Sequence, residues 1–460
     1  MSLPAKFTTG SILRHVIIMT LTGSVGLSFM FLVDFLALYW ISQLQIETLI
    51  AAIGFGGTIQ FFVISPAIGM MIAAVALVSR ALGQGDGEKA RRIAVSSLVF
   101  AVSSQTVLAV IFWLLRRPIL AWSGAEGEVL EVAVQFLEIS LPSLPLIAIG
   151  MTCGAILRAA GEAWRAMMVT VTGGLVALVV DPILILGLGL GVPGAAMTIV
   201  ISRGVMAGVG MFWVLNRDLL ARPSGRDLRA SLPAFLAIAV PSVATQISTP
   251  FGNWVLFRAM AQHGDSAVAG LGVVARLQIL GFGGIFALSG AIGGIIGQNN
   301  GAGLDARVRQ SYLDALKFCV TYTLLVWLLM ALLADAMVRA FGLGADGGAV
   351  LRWYAWFGAG SFVFTGALFV ANAAFNNLGR PVWATVANWS RDGLLMAPLA
   401  FGLGAAFGAN GVLAGQAVAN VLAGLVAGWL GWRFIRNRVS PAPMPPPPDI
   451  APLDPEGRAL

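Results

Sequence analysis

Residues 79–92 read SRALGQGDGEKARR, and residues 297–310 read GQNNGAGLDARVRQ. Each stretch follows a long apolar run and passes from small and amide side chains into a basic segment. The glycines at positions 83 and 301 lie 218 positions apart. This similarity indicates an internal repeat. A repeat of that length, close to half of the chain, determines the fold of the whole chain.

The same spacing recurs at two other turns that contain glycine. Gly161 lies in LRAAGEAW and Gly379 lies in FNNLGRPVW, again 218 positions apart. Gly191 opens GVPGAA and Gly408 opens GANGVLA, at a separation of 217 positions. A period shared by several different turns indicates that the chain consists of two similar halves.

The composition places both halves in a membrane. Of the 460 residues, 58% are hydrophobic and 11% are charged, and the mean hydropathy is +0.88. A soluble domain carries about a quarter charged residues, so most of this surface has to face lipid. The 56 glycines would weaken soluble helices but suit helices that pack closely in lipid. We therefore assign the net charge of +7 to membrane topology and not to a nucleic-acid partner.

Twelve apolar runs are long enough to cross a bilayer, since a span needs roughly twenty apolar residues. Each half contains six spans, so both halves have the same orientation and are related by an axis along the membrane normal. We expect an all-α membrane protein with an N-lobe at 1–215 and a C-lobe at 232–435. The predicted spans are 13–41, 47–80, 93–115, 128–157, 164–189, 192–215, 232–260, 266–298, 311–341, 347–375, 382–406 and 409–435.

Arginine and lysine accumulate in alternate loops, as the positive-inside rule requires of cytoplasmic loops. Both termini are therefore predicted to be cytoplasmic, as is a basic linker at 216–231 that joins the lobes. The Pro-rich tail at 436–460 is predicted to be disordered. The opposite side of the membrane receives few basic residues, mainly Arg116, Arg117, Arg339 and Arg352.

Two carboxylates lie at membrane depth, and both belong to the first half. Asp34 lies far inside the first predicted span, and Asp181 lies deep in the fifth, just before Pro182. Each such charge costs on the order of 2.5–3.5 kcal/mol on insertion scales. The acids could pair with donors on neighbouring helices, or they could act as a proton or cation switch. Because the second half offers Asn253 and the apolar stretch 397–399 instead, we favour the switch.

Other polar side chains within the spans leave two interpretations open. Four amides could line an aqueous cavity or bond helices to one another, namely Gln60, Gln246, Asn253 and Gln278. Of the intramembrane arginines, Arg276 is predicted to tether two helices, whereas Arg203 and Arg258 receive no role. The neighbours Arg391 and Asp392 are predicted to form a structural pair.

Enzymatic activity has no support in the sequence. The chain has two cysteines, Cys153 and Cys319, two histidines and no cluster of these residues that would suit a metal or a nucleophile. It also has no Walker A lysine motif, which argues against ATP hydrolysis. We expect a protein without a cofactor that draws its energy from an ion gradient or from the substrate's own gradient.

The chain resembles the multidrug and toxic compound extrusion (MATE) family over roughly residues 10–435. The resemblance implies two six-helix lobes that form a V around a central cavity, which opens alternately to each side of the membrane. It rests on LSFMFLVDFLALYWI around Asp34, SRALGQGDGEKARR at 79–92, AILRAAGEAWRA at 155–166, VVDPILILGLGLGVPGAAMT at 179–198 and GIIGQNNGAGLDARVR at 294–309.

The resemblance also implies the ion-coupling residues. Members of the family place an essential acid in the first helix, which Asp34 matches, and many place another in the fifth, which Asp181 matches. Thr198 is a further predicted ligand. The seventh span has no acid, and this favours the DinF-like branch, whose ion site lies in the first lobe. The position one turn before Asp181, often Asn in that branch, is Ala177, and this favours protons over Na⁺.

The function that follows is export of small, cationic, amphipathic organic compounds by H⁺ antiport, with Na⁺ as the second choice. The alternative is a lipid-linked oligosaccharide or lipid flippase of the same superfamily, which would favour a cationic cavity. We expect a monomer among the lipids of the bacterial inner membrane. Substrate contacts are predicted at Phe31, Phe35, Gln60, Phe61, Gln246, Asn253, Trp254, Gln278 and Phe282.

Overall fold

The structure is a computed structural model that describes residues 5–42 and 47–437. Within these ranges, the side chains at positions 34, 35, 38, 42, 47, 48, 50 and 51 are outside the description. The tail predicted at 436–460 falls almost entirely beyond the described residues. The described chain is almost wholly helical, because a backbone in hydrocarbon has to satisfy its hydrogen bonds within one segment.

Each lobe is a succession of eight helices, some of which are halves of one span. The N-lobe contains α1 (Ile12–Ser42), α2 (Glu47–Gly83), α3 (Gly87–Leu114), α4 (Arg116–Trp122), α5 (Gly127–Ser140), α6 (Leu144–Ala159), α7 (Ala163–Pro182) and α8 (Gly191–Asn216). The C-lobe contains α9 (Gly225–Met260), α10 (Asp265–Gly281), α11 (Gly283–Gly301), α12 (Asp305–Ala340), α13 (Ala345–Trp356), α14 (Phe362–Asn377), α15 (Pro381–Trp389) and α16 (Met396–Arg436).

The number of spans agrees with the twelve predicted. Within the described ranges, ten helical stretches are long and apolar enough to cross a membrane, and α10 with α11, bent by 45°, forms an eleventh. The last stretch, Pro381–Arg436, has 56 residues. A straight helix of that length would measure about 84 Å, far more than the hydrocarbon core of about 30 Å. This stretch therefore has to turn back.

The reversal occurs at Gly408, whose φ of 67° lies outside the helical region. A Cβ added to Gly411 would overlap the carbonyl of Leu403, and one added to Gly415 would overlap the backbone of Leu399. As the glycines advance from 411 to 415, the residues they meet recede from 403 to 399. The segments on either side of Gly408 are therefore antiparallel. They supply the last two spans and complete the twelve.

The internal repeat is visible in the backbone. Three pairs of glycines with positive φ are spaced by 218 positions, at Gly85 and Gly303, Gly124 and Gly342, and Gly161 and Gly379. Because only glycine adopts this conformation without strain, each pair marks the same turn in both halves. The two lobes are therefore built from the same sequence of spans and turns, as the sequence predicted.

The lobes meet through equivalent surfaces. α1 packs on α11, and α2 packs on both α9 and α11. A Cβ on Gly83 would overlap the carbonyl oxygen of Gln298, and a Cβ on Gly301 would overlap that of Arg80. Positions 80 and 298, like 83 and 301, are repeat equivalents. The two contacts are therefore related to each other by the twofold axis of the repeat, which passes between α2 and α11.

The N-terminal turn, Lys6–Thr8, closes this end of the interface. Phe7 is 2% exposed, and its backbone N–H donates to the side-chain oxygen of Gln298 at 2.9 Å. Its carbonyl accepts from Asn299 and Arg307 at 3.1 and 2.9 Å. The turn therefore binds the C-lobe at the end of the molecule that the charge pattern assigns to the cytoplasm.

The linker is shorter than predicted. α9 begins at Gly225 and not near position 232, so residues 217–224 alone separate the lobes' helices. The difference arises because an apolar run marks where a helix enters lipid and not where it starts. Polar residues at the membrane surface, such as Arg226 and Arg229, can continue the same helix into water.

Candidate functional site

Asp181 lies buried near the end of α7, with 3% of its surface exposed. Pro182 follows it and cannot donate a backbone hydrogen bond, so the regular helix ends there. The next residues, Ile183–Gly187, form a π-helical turn. π-turns inside helices are frequent at functional sites, because they redirect side chains and free backbone groups. The sequence places Pro182 directly after Asp181 but does not predict the π-turn.

Thr198 on α8 contacts this carboxyl. Its side chain lies next to that of Asp181, and its hydroxyl donates to the carbonyl oxygen of Gly194 at 3.2 Å. A hydroxyl has one proton and two lone pairs. It can donate to an ionised Asp181, or it can accept from a protonated Asp181 while donating to Gly194. The structure thus brings together two predicted ion-coupling residues, and their coupling role remains a prediction.

Glycines allow α7 and α8 to approach closely enough for this contact. A Cβ on Gly194 would lie 2.9 Å from the backbone of Leu184, which belongs to the π-turn. Lower in the same pair, Ser202 donates to the carbonyl of Gly173 at 2.8 Å. Larger residues at these positions would separate the helices and pull Thr198 away from Asp181.

Asp34, the other predicted acid, belongs to α1, and its side chain is outside the described residues. Its helix is well placed, however. α1 packs along α7, and a Cβ on Gly174 would lie 2.9 Å from the ring of Phe29 and 3.4 Å from Val33. Gly174 lies two turns before Asp181 on α7. The helices that carry the two acids therefore lie side by side in the N-lobe.

A second polar cluster lies deeper in the N-lobe, formed by Gln60, Ser140, Ser143 and Arg203. Arg203 Nη1 donates to Ser143 Oγ at 2.8 Å and to the Ser140 carbonyl at 3.2 Å. Its Nη2 donates to Gln60 Oε1 at 2.9 Å, and Gln60 Nε2 donates to Ser140 Oγ at 2.6 Å. The sequence shows Arg203 as an intramembrane charge. It does not show these partners, because they lie 60 to 143 positions away along the chain.

This cluster corrects the substrate-binding prediction for Gln60. The side chain is 6% exposed, and both ends of its amide are bonded within the protein. Of the two interpretations left open by the sequence, helix bonding is the one observed. Arg276 requires a second correction, since it is exposed and forms no hydrogen bond or ion pair with any residue that the structure describes.

The other predicted substrate-binding residues differ in how far their side chains are exposed. Phe61, Asn253 and Trp254 are exposed, Trp254 by 61%. Phe31, Gln246 and Gln278 are half-buried. Phe282 does not fit its prediction in this conformation, because it has no exposed surface and stacks on Phe362 with 4.1 Å between ring centroids. The side chain of Phe35 is outside the description.

The C-lobe holds a buried ion pair whose repeat-equivalent positions in the N-lobe, 173 and 174, are glycines. Arg391 and Asp392 lie in a π-helical turn, Ser390–Leu395, and are 5% and 2% exposed. Their side chains form two hydrogen bonds, Nε to Oδ1 at 2.7 Å and Nη2 to Oδ2 at 2.9 Å. Ser248 on α9 also donates to Asp392, at 2.9 Å. The charge of this carboxylate is balanced by the neighbouring guanidinium, whereas Asp181 lies beside the hydroxyl of Thr198.

Metal binding is not indicated by the side chains that the structure describes. Among them, no three His, Cys, Asp or Glu residues come close enough to hold an ion together. A carboxyl beside a hydroxyl, as at Asp181 and Thr198, can take up and release a proton, and this role stays a prediction.

Comparison with known proteins gives one family. The family model MatE matches residues 24–183 and 241–402. A FAD transporter of Shewanella oneidensis is 27% identical over 410 residues, which cover 86% of this chain and 89% of that protein. A multidrug export protein, MepA of Staphylococcus aureus, is 26% identical over 53% of this chain and 54% of its own length.

Solved structures share the fold. A MATE family transporter of the MOP superfamily in an outward-facing conformation has a TM-score of 0.88 and 24% identity, over 94% of this chain and 98% of its own. The Vibrio cholerae MATE transporter VcmN in its bent form has a TM-score of 0.86 and 24% identity, over 92% and 97% of the two chains. Because the sequence identity is only 24%, the similarity shows that the helices are arranged in the same way and shows no more than that.

Proposed function

The chain belongs to the MatE family of transporters, and on that premise we propose that it exports small amphipathic organic compounds by proton antiport. The observation that supports this best is Asp181, a carboxyl that is 3% exposed within a membrane-spanning helix and lies beside the Thr198 hydroxyl. An ionised carboxylate in hydrocarbon is costly unless a cation joins it. A proton that binds Asp181 removes this cost and so favours conformations in which the carboxyl is buried. This couples proton binding to conformation. We place the protein in the bacterial inner membrane with both termini in the cytoplasm.

In the proposed cycle, the N-lobe acids take up a proton from the periplasmic side while the lobes are closed at their cytoplasmic end. Neutral Asp181 then donates to Thr198, which turns its own proton to the carbonyl of Gly194. α1 repacks against α7 near Gly23 and Gly26, and the substrate leaves. The lobes rock about the contact between α2 and α11, and the proton leaves to the cytoplasm.

The proposed substrates are cationic and partly aromatic. Phe61 and Trp254 expose 51% and 61% of their surfaces, and Trp254 belongs to an aromatic group with Phe251 and Trp389. A cation over such rings gains about 0.5–2 kcal/mol. The relatives named as a multidrug export protein and a FAD transporter support organic compounds as the substrate class.

The test is ethidium efflux from proteoliposomes under an imposed pH gradient. We expect Asp181→Asn to reduce the initial rate at least tenfold, since an amide cannot take up and release a proton. Thr198→Val should also reduce it, because the carboxylate loses its hydroxyl partner, and Thr198→Ser should restore it. Asp335→Asn is the matched control, a carboxylate of the C-lobe that is 65% exposed and pairs with Arg352.

The outcome that contradicts the proposal is full pH-driven efflux by Asp181→Asn protein that elutes as a single species in detergent. Efflux driven by a Na⁺ gradient and indifferent to the pH gradient would keep the transporter and replace the coupling ion. Repeating the assay with Asp34→Asn tests whether the acid of α1 belongs to the same site.

A further inference from the structure

A polar cavity of about 550 Å³ lies where residues 217–224 meet the starts of α3 and α9. This is the end of the molecule that the charge pattern assigns to the cytoplasm. Four arginines and three carboxylates line the cavity and give it a net positive charge. They are Glu88, Arg91 and Arg92 of α3, Asp218 and Arg222 of the linker, and Arg226 and Asp227 of α9.

The three carboxylates of the cavity are all paired with the arginines of α3. Arg91 pairs with Asp218 at 2.6 Å, and Arg92 pairs with Glu88 at 3.1 Å. Asp227 lies 3.8 Å from Arg92. The remaining two arginines of the cavity therefore have no carboxylate left to balance them.

These remaining arginines are available to a ligand. Arg222 and Arg226 are exposed, and neither forms a hydrogen bond or an ion pair with any residue that the structure describes. Arg229, almost one turn further along α9, is exposed and equally without a partner in the described ranges. Three guanidinium groups at the start of one helix can hold an anion such as a phosphate, which accepts several hydrogen bonds at once.

An apolar groove of about 500 Å³ lies further along the same two helices. It is lined by Pro66 and Met70 of α2, by residues 103–108 of α3 and by residues 236–243 of α9. Val107 and Val240, on its two walls, are exposed. The groove therefore opens outward, to the lipid.

The cavity and the groove lie on one seam between α3 and α9. Arg92 meets Asp227 in the cavity, and further along, the rings of Phe100 and Phe235 lie 5.1 Å apart between centroids. Both pairs are separated by 135 positions in the chain, so the two helices run parallel in a constant register. The walls of the groove continue this register. Since α3 belongs to the N-lobe and α9 to the C-lobe, the seam also joins the lobes.

The spacing along the seam suits one leaflet of a bilayer. Leu236 lies ten residues beyond Arg226 on α9, which is about 15 Å along the helix axis. Ser103 lies eleven residues beyond Arg92 on α3, or about 17 Å. One leaflet with its headgroups is about 20 Å thick. A phospholipid with its phosphate at the cavity therefore places the ends of its acyl chains in the groove.

The repeat shows that the fold does not require these arginines. In the other half, the positions equivalent to Arg226 and Arg229 are Thr8 and Ser11. The equivalent seam, between α1 and α12, is thus built without this pair of charges. The positive-inside rule accounts for basic residues at this end of the molecule, but it requires neither a cavity nor an apolar groove beside them.

We propose that the seam between α3 and α9 is a binding site for one phospholipid with an anionic headgroup. The phosphate lies among Arg222, Arg226 and Arg229, and an acyl chain fills the groove. Basic pockets between membrane helices on the cytoplasmic side suit anionic headgroups in this way. Because the lipid contacts both lobes, it favours the conformation in which α3 and α9 lie side by side.

The test is native mass spectrometry of the purified protein, titrated with dioleoylphosphatidylglycerol or dioleoylphosphatidylcholine, which have the same chains. We expect one molecule of the anionic lipid to bind at least tenfold more tightly than the zwitterionic lipid. Arg222→Gln with Arg226→Gln should weaken this binding at least tenfold, because the cavity loses the charge that its carboxylates do not balance. Val240→Trp, which fills the groove and leaves every charge in place, should weaken it as well.

Arg14→Gln with Arg436→Gln is the matched control. It removes two exposed arginines from the same end of the molecule, on α1 and α16, and should bind the anionic lipid as the unmodified protein does. Glycerophosphoglycerol, the headgroup without its chains, should bind at least tenfold more weakly than the whole lipid. This arm distinguishes a lipid site from a site for free phosphate compounds.

Equal binding of the two lipids, or an equal loss in the control variant, would indicate general attraction to a basic surface and overturn the proposal. Equal binding of glycerophosphoglycerol and the whole lipid would overturn it too, since the groove would then have no part in binding. Unchanged binding in both the double arginine variant and Val240→Trp would place the lipid elsewhere and reject the site.

Hydrogen exchange in nanodiscs tests the effect on the lobes. Exchange in residues 217–229 should be slower with the anionic lipid than with the zwitterionic lipid, and Arg222→Gln with Arg226→Gln should remove the difference. Equal exchange of the unmodified protein in the two lipids would show that the lipid does not hold the lobes together.

Discussion

At the scale of single residues, the buried carboxyls of the two lobes have different neighbours. Asp181 lies beside the Thr198 hydroxyl, which can act as donor or acceptor and so suits both charge states of the carboxyl. Asp392 is held by two hydrogen bonds from the guanidinium of Arg391, a permanent charge, and by one from the hydroxyl of Ser248. The first arrangement suits a group that exchanges protons, and the second suits a fixed structural pair.

We expect Asp392→Asn to destabilise the protein strongly. Breaking a buried ion pair from one side leaves the guanidinium of Arg391 uncompensated and costs about 3–5 kcal/mol. Replacing both partners, as Arg391→Met with Asp392→Leu, should cost less, because neither charge remains buried. Thermal unfolding of the purified protein, followed by its intrinsic tryptophan fluorescence, measures both effects. A single variant that is as stable as the double variant would contradict the structural role.

At the scale of helices and turns, the N-terminal turn is attached to both lobes at once. Phe7 bonds α11 of the C-lobe, whereas Lys6 pairs with Glu162 of the N-lobe at 2.6 Å. Glu162 precedes α7, the helix of Asp181, and also pairs with Arg165. The start of α7 and the interface between the lobes are therefore connected through this turn.

The attachment of this turn should depend on pH only in acid. Burial alone would raise the pKa of Glu162, but the hydrogen bond from Lys6 and the charges of Lys6, Arg165 and Arg217 outweigh it. They hold the pKa below its usual value of 4.5. A depressed carboxyl pKa stabilises the folded state above 4.5, and this contribution is lost as the pH falls through the lower folded value.

Glu162→Gln should therefore increase hydrogen exchange in residues 5–10 at neutral pH, where the unmodified protein is protected. The difference between the two proteins should shrink as the pH falls below about 4.5. Exchange measured by mass spectrometry across this range checks both statements. Equal protection of residues 5–10 in both proteins at neutral pH would show that the ion pairs do not hold the turn.

At the scale of the whole molecule, the lobes are joined by small residues that let their helices touch. A Cβ on Gly23 of α1 would lie 3.2 Å from the Cβ of Ala287 on α11. Disulfides need Cβ atoms about 3.5–4.5 Å apart, so this pair is nearly ideal for a cross-link between lobes. The cross-link would hold the conformation in which α1 and α11 are in contact.

We expect the double substitution Gly23→Cys and Ala287→Cys, made after Cys153 and Cys319 are replaced by alanine, to lose efflux on oxidation. Reduction should restore it, because rocking of the lobes has to separate or slide α1 against α11. The single cysteine variants control for the substitutions themselves. Full efflux by the quantitatively cross-linked protein would exclude movement at this contact.

The large features of the fold could be predicted from the chain because they depend on local properties. A run of apolar residues crosses lipid whatever its neighbours are, and a repeated turn such as Gly161 and Gly379 repeats its conformation. The reversal at Gly408 follows from the same argument. The start of α9 could not be predicted, because a helix that leaves the bilayer needs no apolar residues.

What the sequence by itself determined is the membrane, the twelve spans, the repeat and the depth of Asp181. What only the tertiary structure decided is which side chains meet: Thr198 with Asp181, Gln60 with Arg203, and Phe282 with Phe362 in the core. The physical reason is that both faces of a membrane helix are apolar, one against lipid and one against protein. The hydrophobic pattern that shows the inner face of a soluble helix is then absent.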